Sequence, residues 1–280
     1  MKKRPCLVVF LVLAAQLPLW GYDSSPFSVQ IVPEAIWAAA TGGGTWVTEI
    51  QVTNLGAEVP YLNAAFSCAG GTSGQFPIAI ALAQNKSIRF SNILSTLDAL
   101  DSSGFVYYGQ VGVLSISSSD IGSRIQVQAK TVNGNFGKTF PGLNPIEGNS
   151  AAKDRPMIIQ DLVQNATYRT FVGAFNGNLS LVLVRFRIVD GDGAQVGSVV
   201  EKAIPVMSFV SFNPFKEAGF ATGTYENCHL IVEVPTEVAS GFGIFCYGSI
   251  ANNYTNDTYA LLAKQYGYAG DTADKPPLRY

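Results

Sequence analysis

The chain has one histidine, His229, and little charge: 18 basic and 20 acidic residues, 14% of the whole, with a formal net charge of -2. A lone histidine with no CxxC pair and no ligand spacing gives zinc nothing to bind. The absence of a basic block removes nucleic acid from the expected partners. No G-x-S-x-G elbow occurs, and "TGGGTW" (41–46) has no Lys-Ser/Thr behind it, so neither an esterase nucleophile nor a phosphate loop is expected. Beyond the N-terminus no apolar run is long enough for a membrane helix. "LSLVLVRFRIV" comes nearest, and Arg185 and Arg187 interrupt it at strand spacing. No cofactor is expected.

What is present points to an extracellular β protein. The 280 residues are 48% hydrophobic, with 28 Gly and 12 Tyr, enough for two domains of ordinary size. "MKKRP" is a basic leader, "CLVVFLVLAAQLPLW" an apolar stretch, and "GYDSS" small and polar. This reads as a signal peptide over 1–21, against the alternative of an uncleaved anchor. An exported chain meets oxidising conditions. Cys228 and Cys246 lie 18 residues apart around "HLIVEVPTEVASGFGIF", read as two strands about a turn near Glu237. In such a hairpin they face each other as a candidate disulfide, the alternative being two buried thiols. Cys68 is then the odd thiol.

One stretch is written twice. "TWVTEIQVTN" (45–54) and "TYRTFVGAFN" (167–176) share Thr, an aromatic, a second Thr and a closing Asn at an offset of 122 residues. Trp46, Thr48 and Asn54 fall on Tyr168, Thr170 and Asn176. The offset holds through "SIRFSNIL" and "FVSFNPFK", with Phe90 on Phe212. It then shortens by four, and "VGVLSISSSDIGSRIQVQAKT" (111–131) falls on residues 229–249 without a gap. Three blocks in one order predict an internal duplication.

Each copy reads as strands. "TEIQVTN" and "RIQVQAKT" alternate, and "LVLVRFRIV" is nearly continuous, as in a strand with both faces largely covered. Turn signals recur, and helix signals are few: "SNILSTLDALDSS", with Ser91 as N-cap, and "NPFKEAGF" at the matching place. The fold expected is all-β, two tandem, duplicated β-sandwiches, Ig-like or jelly-roll-like, with little helix. The repeats span 31–143 and 157–264, with a polar linker at 144–156 and a polar tail at 265–280. Trp46 and Tyr168 should cover an edge or end of each core, and Asn54 and Asn176 should start turns where Asn tolerates the left-handed region.

A Gly-rich stretch, Trp/Tyr-x-Thr, an alternating strand ending in Asn, and an apolar strand running into "DGDG" resemble an exported bacterial tandem β-sandwich repeat. The resemblance rests on Trp46, Thr48 and Asn54, on Tyr168, Thr170 and Asn176, and on the turn Asp190–Gly193. It covers about 31–264. The first copy departs at the turn, with "CAGGTSG" in place of "DGDGAQVG". The resemblance implies export and fold rather than an activity.

Candidate chemistry is sparse. Cys228 and His229 are adjacent in a strand and so point to opposite faces, which prevents local cooperation. Asp190 and Asp192 have oxygen chemistry suited to calcium, but a tight turn accounts for them fully. Glu233 and Glu237 are the nearest candidates for paired carboxylates. Tyrosines are plentiful. Tyr107 and Tyr108 follow Phe105, and Tyr254 and Tyr259 precede Tyr266 and Tyr268. Rings beside Asn and Thr suit sugar or ligand stacking, the alternative being edge packing. The leading expectation is a non-enzymatic exported structural or surface-interaction protein, self-associating through strand edges, at the periplasm, outer surface or medium. Its partner would be protein or glycan. The alternative is a carbohydrate- or ligand-binding module on the Tyr-rich loops, and after it a secreted hydrolase.

Overall fold

The computed structural model describes residues 27–40, 43–57, 61–72, 74–119, 123–145, 150–220, 223–237 and 241–265. The leader segment and the tail from 266 lie outside these residues. The fold is all-β, of sandwich-like antiparallel sheets with two short helices. The first half runs β1 (Val29–Ala39), β2 (Thr45–Asn54), β3 (Leu62–Cys68), β4 (Gly71–Thr72), β5 (Phe76–Ile78), β6 (Ser87–Phe90), α1 (Ile93–Leu100), β7 (Gln110–Ser118), β8 (Ile125–Asn133) and β9 (Phe136–Pro141). The second runs β10 (Met157–Gln164), β11 (Tyr168–Asn178), β12 (Val182–Val189), β13 (Val200–Ile204), β14 (Phe209–Phe212), α2 (Pro214–Glu217), β15 (Tyr225–Glu233), β16 (Gly241–Asn252), β17 (Thr258–Leu262) and β18 (Lys264–Gln265).

The two halves share one pairing scheme. In the second, one sheet is ordered β13-β12-β15-β10 and the facing sheet β14-β11-β16-β17. In the first, β5-β3-β7-β1 and β6-β2-β8-β9 repeat this order, and a short β1–β2 pairing at Ala38 and Trp46 joins them. Register repeats too. Ile50 faces Phe90, and Val172 faces Phe212. In the last block Thr48 faces Thr131 and Thr170 faces Ile250, so Thr131 corresponds to Ile250 rather than to Ser249, one residue from the gapless alignment.

The signature residues hold each sandwich together from inside. Asn54 and Asn176 are buried in extended backbone, outside the left-handed residues, and their side chains build the turn. The Asn54 amide donates to the Ala57 and Leu82 carbonyls at 2.6 and 2.8 Å and accepts from Gly56 N–H at 3.0 Å. Asn176 donates to the Ser180, Ile204 and Pro205 carbonyls at 2.8, 2.9 and 3.0 Å and accepts from Asn178 N–H at 2.9 Å. The threonines work at the seam between sheets. Thr48 Oγ1 accepts from Ile36 N–H at 2.8 Å. Thr170 Oγ1 accepts from Val163 N–H at 3.1 Å and donates to the Val163 carbonyl at 2.6 Å. Trp46 is half-buried beside the β1–β2 pairing, and Tyr168 is on the margin of exposure.

Three expectations need correction. Asn92, not Ser91, caps α1, accepting from Ser95 N–H at 3.2 Å; Asn213 does the same for α2, with Pro214 at its first turn. In β12 only one face is covered: Arg185 and Arg187 point outward to Glu201 and Glu233 at 2.7 and 2.9 Å, because a charge within an apolar run still takes the wet face. The strands that carry Cys228 and Cys246 do not form a hairpin. β15 pairs with β10 and β12, β16 with β11 and β17, and the connection crosses from one sheet to the other. Cys228, Cys246 and Cys68 are free thiols. The segment at 144–156 is partly interior: Asn144, Ser150 and Ala151 are buried, and Ala151 bridges Ile244.

Removing a buried amide leaves carbonyls without donors. Asn54→Ala and Asn176→Ala should each lower unfolding free energy by about 2–3 kcal/mol, read from urea denaturation. Thr53→Ala, on the exposed face, serves as the control.

Candidate functional site

The exposed tyrosines stand on loops held tightly from below. After α1 the chain turns around Asp101, whose carboxylate accepts from Ser103 Oγ at 2.6 Å, Ser103 N–H at 2.8 Å and Val106 N–H at 2.7 Å. These hydrogen bonds, that of the Ser103 hydroxyl first, hold its carboxyl below the ordinary range. The buried Gln110 takes over from there. Its carbonyl accepts from Tyr107 N–H at 2.9 Å, and its amide donates to the Phe105 carbonyl at 2.8 Å. Gly109, at φ +109°, donates to the Trp37 carbonyl at 2.7 Å. The Tyr108 ring meets Trp37 edge-on at 5.6 Å between centroids. Tyr107 and Tyr108 remain 55% and 48% exposed.

The second pair sits on the β16–β17 hairpin. Asn252 Oδ1 accepts from Tyr254 N–H at 2.8 Å and Thr255 N–H at 3.0 Å, while Asn256 takes a left-handed φ of 59°. Arg169 reaches across to Asn253 and Asn256 at 2.7 and 3.3 Å. Tyr254 is 75% exposed, the most open large ring described. Tyr259 faces Ile250 across the ladder. Its phenol pKa is raised by partial burial first, then by Tyr168 and Asp161 nearby. The structure thus joins Tyr259 to Tyr168, and Tyr108 to Trp37. The two tyrosine pairs belong to different sandwiches, and no contact described brings them together.

The other singled-out residues take structural places. Cys228 turns into the core and the adjacent His229 is half-buried outside it. Asp190 Oδ1 accepts from Asp192 and Ala194 N–H at 3.0 and 2.9 Å, so the "DGDG" turn closes on itself. Glu233 pairs with Arg187, and Glu237 lies 3.8 Å from Lys153. Lys153 and Glu237 line a small polar cleft with Arg155 and Asn178. Among the described residues no cluster of three or more His, Cys, Asp or Glu is placed to hold a metal ion, and no helix is long and apolar enough to cross a membrane.

Sequence reasoning missed a nearly enclosed ion pair and the polar groups that meet it. Glu34, Lys138, Tyr247 and Ser249 meet where the second half packs on the first. Glu34 interrupts the apolar run of β1 at a register shift between Val32 and Ala35, and this was the readable signal. Burial, then the Glu34 carboxylate beside it, pushes the Tyr247 phenol pKa well above its usual value.

No family model matches this chain, and no curated protein does.

Two outcomes follow from burial. Alkylation of the native protein should modify Cys68, which is half-buried, while Cys228 and Cys246 react only on unfolding, read by peptide mass spectrometry. Burial raises the folded pKa values of Cys228, Cys246 and Tyr247 above the ordinary thiol and phenol ranges. The folded state keeps protons that the unfolded chain releases. Stability should be intact below about pH 9 and fall progressively as the pH rises beyond it, in urea melts taken across that range.

Proposed function

We propose that the chain is an exported, non-catalytic surface-interaction protein, built of two fused sandwiches that present tyrosines on rigid loops. The observation that carries this reading is the pinning of those loops. Exposed Tyr107 and Tyr108 rest on Gln110, Asp101 and Trp37, and Tyr254 rests on Asn252. A tyrosine offers large contact area at small entropic cost, and a loop already fixed loses little more on binding. Export and a cell-surface setting rest on the N-terminal segment and on the resemblance to secreted tandem repeats. We also read the shared pairing scheme as the product of duplication.

The partner is a foreign surface, glycan or protein, rather than a growing array of copies. The second sandwich docks with the outer face of β14-β11-β16-β17. The equivalent face of the first sandwich carries Gln51, Gln126, Gln128 and Lys130 in the open. The outer face of β12 and its neighbours carries two ion pairs. Neither face offers the apolar area that a further docking of the same kind needs.

The test is a panel of soluble polysaccharides and whole cells, read by co-sedimentation, with Tyr107→Ala/Tyr108→Ala and Tyr254→Ala/Tyr259→Ala variants. Loss of binding by at least tenfold in one double variant is the expected result. Binding unchanged in both, or no binding by the parent chain, removes the reading. Light scattering should give the mass of a single chain, and filaments would restore self-assembly.

A further inference from the structure

The second sandwich sits on the first through a surface made of rings. Phe175, Phe209, Phe245 and Tyr247 leave the outer face of their sheet and join the core cluster of the first half. Into this apolar contact the chain places an ion pair. Lys138 on β9 stands 2.8 Å from Glu34 on β1, with side chains 8% and 7% exposed. Both belong to the first sandwich, and the second closes over them. Tyr247 donates to the same Glu34 oxygen at 2.7 Å, and Lys138 donates to Ser249 Oγ at 2.7 Å. The ammonium also lies 5.7 and 5.9 Å from the Phe140 and Tyr247 ring centres. Gly173 keeps the space open: a Cβ there would stand 2.0 Å from the Tyr247 ring.

Taking two charges out of water is costly, and their attraction repays it only with good geometry and further hydrogen bonds. An apolar pair of the same volume would hold the halves as firmly. Apolar rings alone, however, tolerate sliding, because dispersion and burial have no direction. A carboxylate and an ammonium each need their donors and acceptors at set places. We propose that the Glu34–Lys138 pair, met by Tyr247 and Ser249, is an orientation lock. It selects the one seating of the second sandwich on the first, and it adds little to the strength of the contact.

The test separates orientation from strength. Lys138→Met leaves a buried carboxylate without its cation, and its urea midpoint should fall clearly below that of the parent. Glu34→Gln combined with Lys138→Met replaces the pair with neutral groups and keeps an acceptor for Tyr247. Its midpoint should return to the parental value or exceed it. Its amide spectrum should then show doubled or broadened signals for β9, β16 and β17, while β6 and β12 stay single and sharp. A double variant as weak as Lys138→Met overturns the proposal, because the pair would then be a source of stability. A stable double variant with one sharp set of interface signals overturns it as well, and so does an unchanged midpoint in Lys138→Met. If Lys138→Met does not fold, the double variant alone decides.

Discussion

Strands β11 and β16 are covered on both faces, and most of the architecture follows from that constraint. Even-numbered residues such as Val172, Ala174, Ile244 and Cys246 fill the core of the second sandwich. Odd-numbered ones, Phe175, Phe245 and Tyr247, fill the contact with the first. A strand has only two faces, so the stretch used this way has no solvated side left. The second half therefore depends on the first to keep its rings dry. Each buried Phe contributes about 1.5–3 kcal/mol relative to exposure. The two halves form one body for this reason.

Much of this was legible in the residues. Alternation marked β2 and β8, since Ile50, Val52, Val127 and Ala129 are buried while Gln51, Gln126 and Gln128 are not. The doubled Thr and Asn stand out in the sequence, but the role of the Asn does not. Asn tolerates left-handed backbone, yet neither Asn54 nor Asn176 adopts it. The structure uses its amide instead, to bind carbonyls 28 residues away in both halves. The misreading of Cys228 and Cys246 has a plain cause. Two apolar strands around a short turn look alike whether they pair or cross between sheets. Only the partner strands distinguish the cases, and they lie elsewhere in the chain.

The contact between halves was not legible for a related reason. Glu34, Lys138 and Tyr247 are separated by more than a hundred residues from one another. Nothing local ties a lysine in a short hairpin strand to a glutamate near the start of the fold. The tyrosines at 107, 108, 254 and 259 were legible as exposed rings. Their supports were not, because Gln110 and Asp101 read as ordinary loop residues until their side chains are seen reaching back to the backbone.

Thr170 gives Val163 both of its missing hydrogen bonds from a single hydroxyl, one accepted and one donated. A neighbouring strand would have filled those same two positions. The side chain thereby imitates a strand one residue long, at the place where β10 has lost β18 and has not yet met anything else. Thr48 fills the corresponding donor at Ile36. A foreign strand that approached either seam would find its backbone partners already engaged. This adds to the register shifts that β1 and β10 carry close by, and guards the seams against unwanted pairing.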